Sequence, residues 1–399
     1  MDTFVSADHA RAVVLASARP VGAEPAALAD AVGRTLAADV VADGPLPPFD
    51  TSAMDGYAVR LADLPGPGEL PLAGTVHAGA EVPGPLSPGQ TVAVMTGAPL
   101  PPGADAVVPV EWTERGGDTV RFERAPTPGL SIRRAGGALA AGTVVLAAGA
   151  VVTPGAVGLL ASVGAARVSV RRRPVVAVVS TGDELVDVAQ TPRQGQIRDA
   201  NSPGLAAQVE AAGGRPLRLH AADHADSLAA ALDAARDADV VVVAGGVSMG
   251  ERDLVRPALD ARGVRWSFWQ VRQRPGKPLA FGTWEGRPVV GLPGNPVSAA
   301  VGFEVYVRPL LAACLGRTSG PAPEPGTLAE PIDKPEGLTT FARVTARRDD
   351  AGVLQLRPAG GQASHAALSL VASDGLAVLP AEWTEAPAGA RVLFHRWAW

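Results

Sequence analysis

The sequence predicts a multidomain α/β plus β protein, built on a central doubly wound, mainly parallel α/β domain. Three observations carry that prediction. At 399 residues the chain is longer than one ordinary core, so two to four domains are expected. Between 174 and 315 short apolar runs alternate with helical patterns, the rhythm of a parallel sheet with crossover helices. Before and after that stretch, short Val-rich runs alternate with Pro/Gly turns, which predicts two small β-rich domains. The 46 glycines and 37 prolines stay below the roughly 25–30% that marks low complexity, so they read as tight turns.

The elements follow in chain order. Ser6 fits an N-cap for a helix over Ala7–Ala18, ended by Pro20. A helical/linker domain is expected over 1–45 and 140–172; in its second part Thr153 caps a helix that has Pro154 at its first position and Gly164 past its end. Thr91–Met95 and Ala106–Val110 are strand-like runs of a β-rich domain over 46–139. The α/β domain spans 173–316. Its strands are Val175–Val179, Pro216–His220, Asp239–Val243 and Pro288–Leu292, apolar enough to be buried on both faces. Its helices are Pro203–Ala212, Ser227–Arg236, Leu254–Arg262 and Pro296–Cys314. Gly316–Gly326 reads as a linker into a small β-barrel-like domain over 317–399.

Charge and cysteine narrow the function. A net charge of −5 with no long basic run argues against nucleic acid or an anionic membrane as partner. The lone Cys314 excludes an internal disulfide and a multi-cysteine metal site, and fits a reducing cytoplasm. The N-terminus lacks a basic n-region and apolar h-region, and no apolar run reaches the ~18 residues that span a bilayer. A cytoplasmic location is the expectation.

In open α/β sheets ligands bind beyond the carboxyl ends of the strands. The polar loops of the α/β domain all fall there: Thr181-Gly182-Asp183-Glu184, then Asp223-His224, then Gly245 to Asp253, then Pro293-Gly294-Asn295-Pro296-Val297-Ser298. Glu184, Asp223 and Asp253 are hard oxygen donors suited to Mg²⁺, whereas Asp183 reads as a turn cap. The small residues of Gly245–Gly250, Ser248 among them, let backbone N–H groups approach a phosphate, although neither a Walker A nor a dinucleotide fingerprint is present. Arg272, Arg274 and Lys277 sit on a loop stiffened by Pro275, Gly276 and Pro278, which offers oxyanion binders on a fixed backbone. Arg343 alone reads as a strand surface residue and Ser364 as a turn residue. No GxSxG elbow is present, which disfavours hydrolase chemistry of that type.

Seven strings occur in one order: PPFDTSAMDGYAVR from Pro47, then MTGAPLP, STGDEL, GGVSMGERD, RPGKPLAFG, GLPGNPVS and Gln362-Ala363-Ser364-His365. In that order they resemble the molybdopterin molybdenumtransferase family, MoeA in bacteria and the E domain of gephyrin, over essentially the whole chain. The resemblance implies insertion of molybdate into adenylylated molybdopterin with release of AMP, assisted by Mg²⁺. It implies a homodimer, with the helical/linker domain in dimerisation and a molybdopterin adenylyltransferase as upstream partner. By motif, Asp55 and Thr96 reach in from the other subunit. Glu184, Asp223 and Asp253 hold Mg²⁺ or orient the adenylate phosphate; Gly245, Gly246 and Ser248 cradle phosphate or pterin. Arg274 and Lys277, with Pro293, Asn295, Pro296, Ser298, Arg343 and Ser364, form the substrate site.

The chain also departs from the family. Ser131–Ala138 ends in Gly137-Ala138 where the family carries a Glu-Asp pair, Arg274 replaces a lysine, and Ala244 replaces a hydroxyl residue. Two alternatives to an active insertase therefore stay open: a non-catalytic, dimeric pterin- or anion-binding paralogue, and a transferase for another pterin or nucleotide.

Overall fold

The computed structural model describes residues 1–246, 254–318 and 320–398. It divides into two compact units, one of Met1–Glu24, Gly33–Thr35 and Val170–Trp399, the other of Pro25–Val32 and Leu36–Ser169.

In the first unit, the parallel strands Arg215–Ala221, Val175–Thr181, Val240–Ala244 and Arg287–Leu292 lie side by side in that order. Alternate residues of the inner strands face two cores. Val176, Val178, Val240 and Val242 enter one, while Ala177, Val179, Val241 and Val243 enter the other. Burial on both faces is why these strands read as unbroken apolar runs. The helices Asn201–Ala211, Ala225–Ala234 and Val255–Asp260 supply the layers. Pro296–Cys314 is a 19-residue helical run, apolar enough by composition to cross a bilayer, yet 78% of it is buried within the protein, as a core helix. A π-helical turn at Phe303–Val307 interrupts it just before Pro309, where the missing N–H and the ring break the regular bonding.

Two features depart from the sequence expectation. The sheet is mixed: Arg265–Arg274 and Ala280–Trp284 form an antiparallel hairpin on the Arg287–Leu292 edge. Residues 1–45 are not one helical domain. Asp2–Ser6 is a strand parallel to Arg265–Arg274, and Ala7–Ala16, capped by the Ser6 hydroxyl at 3.2 Å from the His9 amide, buries Ala7, Ala10 and Val14 against the α/β core. These residues join the larger unit because their apolar face is completed there.

The sheet continues into the C-terminal strands Glu324–Leu328, Thr339–Arg348, Leu354–Pro358, Gly375–Leu379 and Arg391–Arg396 through Gln273↔Thr339 and Arg274↔Thr340.

The second unit holds a sheet in the order Ala106–Pro109, Gly56–Val59, Thr91–Val94, Gly68–Val76, Thr119–Phe122, Thr113–Gly116. Gly56 sits where a Cβ would lie 2.3 Å from the Val108 carbonyl oxygen, so no side chain fits between those strands. Thr153 caps Pro154–Ser162, accepting from the Ala156 N–H at 3.2 Å, and Gly164 follows with φ +77°.

Candidate active site

The four parallel strands end level. Thr181 pairs with Ala221, Ser180 with Ala244, and Ala244 with Leu292. The chain leaves Val175–Thr181 for a neighbour on one side and returns to Val240–Ala244 on the other, so the switch point of the sheet opens between Thr181 and Ala244. Gly245 and Gly246 follow with φ of +96° and +61°. A Cβ on either would lie 3.1 Å from the Thr181 hydroxyl, and one on Gly246 would lie 2.3 Å from Val255 Cγ2. The packing against Thr181 and Val255, together with the positive φ, thus requires glycine at both positions and leaves this backbone without side chains. Ser248 and Asp253 lie outside the described residues.

Glu184 and Asp223 are both exposed at this edge. Asp183 Oδ1 accepts from the Asp223 amide at 2.9 Å, and Asp223 Oδ2 accepts from the Asp183 amide at 3.3 Å. Asp183 therefore caps the turn, and Asp223 shares that duty. Among the described residues no three His, Cys, Asp or Glu side chains cluster to hold a metal by themselves. Two exposed carboxylates still suit Mg²⁺, which takes one or two and completes its shell from water and phosphate.

The cationic loop reaches the same edge because two antiparallel steps restore the strand direction. Arg265–Arg274 runs with the four parallel strands and ends beside them. Gln273, which no motif marks, is 1% exposed. Its amide donates to the Pro275 and Gly276 carbonyls, each at 3.2 Å, and its oxygen accepts from the Tyr306 hydroxyl. It pins the turn that carries Arg274 and Lys277. Gly276, at φ +89°, lies where a Cβ would come 3.1 Å from the Gln273 amide nitrogen and would be in ordinary contact with the Ser298 carbonyl at 3.5 Å and Pro293 Cγ at 3.8 Å. Arg274 is half-buried, 3.6 Å from exposed Asp333. Lys277 is exposed, and its ammonium stands 4.7 Å from the centroid of the Phe4 ring. The chain has only two lysines; the other, Lys334, is buried and donates to three backbone carbonyls.

Gly294 lies against Gly245, and its carbonyl accepts from the Asn201 amide at 2.7 Å. Asn201 is a second residue without a motif signal beyond its place at a helix start. Asn295 donates to the Ser364 hydroxyl at 3.1 Å, which ties the Pro293–Ser298 loop to the C-terminal strands' loop. Ser298 is buried behind Pro296 at the start of the helix. Arg343 corrects the sequence reading: it is 1% exposed, not a surface residue. Its guanidinium donates to Ser369 at 3.1 Å and to the Gly361 and Ala363 carbonyls at 3.1 and 3.2 Å. Burial, then nearby Arg274, pull its pKa down to about 10. In this arrangement Arg343 braces the loop that presents Ser364.

In the second unit Asp55 and Thr96 meet. Asp55 Oδ1 accepts the Thr96 N–H at 2.6 Å and its hydroxyl at 2.8 Å, and these two bonds hold the exposed carboxyl below its ordinary value. The segment lacking the acidic pair folds onto Asp50. The Ala135 N–H, at 2.8 Å, and Arg134 hold Asp50 low despite partial burial. A Cβ on Gly137 would come 3.0 Å from the Arg134 carbonyl.

Three family models match in sequence: the MoeA N-terminal region (domain I and II) over 5–164, a probable molybdopterin binding domain over 177–313, and the MoeA C-terminal region (domain IV) over 325–397. Molybdopterin molybdenumtransferase 2 of Mycobacterium tuberculosis is 39% identical over 96% of this chain and 97% of its own length. The Haemophilus influenzae molybdopterin molybdenumtransferase is 36% identical, covering 98% of each. A crystal structure of a Pyrococcus molybdopterin biosynthesis MoeA protein is similar with a TM-score of 0.85 at 30% identity, covering 98% of both chains. On these matches across all three regions, the chain belongs to the molybdopterin molybdenumtransferase (MoeA) family.

Proposed function

We propose that this protein acts in molybdenum cofactor biosynthesis by inserting molybdate into adenylylated molybdopterin, with release of AMP and help from Mg²⁺. The observation that carries the proposal is the fixed cationic turn at the carboxyl edge of the sheet. Arg274 and Lys277 are held by Gln273 against the Pro293–Ser298 loop, which reaches Ser364. A tetrahedral dianion is bound by cationic forks and hydroxyl donors of this type. The chain meets its need for positive charge almost wholly with arginine, so a lysine at 277 marks a place where a compact ammonium is wanted.

In this reading Gly245, Gly246 and the Ser248 segment take the pterin phosphate or the adenylate. Glu184 and Asp223, with Asp253, would hold Mg²⁺, which would supply charge neutralisation at the phosphate. Asp55 and Thr96 come from a second copy of the chain, and an adenylyltransferase supplies the substrate. AMP release from adenylylated molybdopterin, with Mg²⁺ and with or without molybdate, tests the reaction. Molybdate-dependent release is expected; tight pterin binding without release would support the non-catalytic paralogue instead. Co-expressing Asp55→Ala with Lys277→Ala chains tests the shared site. Activity in the mixture, absent from either variant alone, is expected.

A further inference from the structure

The N-terminal strand carries a feature that the reaction leaves unexplained. Asp2–Ser6 and Arg265–Arg274 pair in matched register on both sides of Phe4, with Thr3↔Trp269 before it and Val5↔Val271 after it. Phe4 and Gln270, the two residues between, have φ of +59° and +71°. A bulky residue in the left-handed region is uncommon, and here two non-glycine residues adopt it side by side. The Phe4 ring is left 36% exposed, with the Lys277 ammonium 4.7 Å from its centroid. Lys277 is also fixed from behind, since its carbonyl accepts from the Val271 N–H at 3.0 Å and the Leu279 N–H at 2.9 Å.

We infer that Phe4 is a positioning residue for Lys277, its ring face holding the ammonium where the oxyanion binds. The inference rests on the role given to Lys277 above. Lysine's four-carbon stem is flexible, and a contact of this kind confines it without neutralising it. Exposed cation–π contacts are worth about two- to five-fold in an equilibrium, which sets the size of the effect.

The test exploits the two lysines. The full chain, as wild type, Phe4→Leu and Phe4→Trp, is treated with limiting acetyl N-hydroxysuccinimide ester, and acylation of Lys277 and Lys334 is followed by mass spectrometry. Phe4→Leu keeps apolar bulk but removes the ring. Lys277 acylation is expected to rise about two- to five-fold in it and to stay at or below wild type in Phe4→Trp, with Lys334 unchanged as internal control. The molybdate concentration giving half-maximal AMP release is expected to rise by the same factor at unchanged maximal rate. Equal Lys277 acylation in wild type and Phe4→Leu overturns the inference. If acylation shifts but molybdate dependence does not, the contact stands and the oxyanion role of Lys277 fails.

Discussion

The two ends of the four parallel strands are built to opposite rules. At the amino end, Asp239 takes both terminal nitrogens of Arg172 at 2.6 Å and the Val175 N–H at 2.8 Å, a closed arrangement that staples the central strands Val175–Thr181 and Val240–Ala244. At the carboxyl end, Glu184, Asp223 and Lys277 face solvent, and the backbone at Gly245 and Gly246 is stripped of side chains. At the amino end the charges are satisfied within the chain, whereas at the carboxyl end exposed charges remain available to a ligand. Substitutions at the two ends should therefore split cleanly between stability and activity.

The largest effect falls on activity. Lys277→Ala and Asp55→Ala are each expected to lower molybdate-dependent AMP release by at least ~100-fold, the scale for removing a placed electrostatic group. The thermal unfolding midpoint of Lys277→Ala should match wild type, because its side chain is exposed, and that of Asp55→Ala should fall only slightly, with loss of the two Thr96 bonds. Full activity in both variants, or a large fall in the midpoint, would break the division. Gly246→Ala probes the boundary, since it affects both. The added methyl meets Val255 at 2.3 Å and a backbone at φ +61°, so a loss of about 1–3 kcal/mol in denaturant unfolding is expected alongside reduced turnover.

The opposite end should show the reverse. Asp239→Asn removes the charge and one of the two acceptor oxygens of a two-pronged guanidinium contact and is expected to cost about 1–3 kcal/mol by urea unfolding, with turnover unchanged. Lost turnover at full stability would mean that the amino end communicates with the site.

Much of this contrast was legible in the chain. The four parallel strands announced themselves because burial on both faces leaves unbroken valine runs, and their polar successors had to sit at the carboxyl edge. The Arg265–Arg274 strand was hidden because RWSFWQVRQR mixes aromatic and charged residues without a clear period, and Gln270 departs from the extended backbone within it. Asp2–Ser6 was hidden because a short exposed strand is specified by its neighbour rather than by its own residues. Among the site residues, the glycines and cations stood out by chemistry. Gln273 did not, since a buried amide is recognised only by the carbonyls it meets. Arg343 was misplaced because arginine is usually exposed, and its three loop partners lie 18 to 26 residues away in sequence.

The smallest effect separates the ends by pH. Burial is the largest influence on Asp239 and pushes its pKa up, but the Arg172 fork and the Val175 N–H outweigh it and hold the carboxyl below 3.8 when folded. An acid whose pKa is lowered by folding contributes stability in full above its unfolded value and loses it as pH falls through the folded value. The stability gap between wild type and Asp239→Asn should thus be flat from pH 7 to 5 and close only below about 3.8. Urea unfolding of both proteins at each pH reads that gap directly. A gap that already narrowed between pH 7 and 5 would show that the Asp239 charge does not carry it, because a carboxylate with a lowered pKa does not titrate in that window.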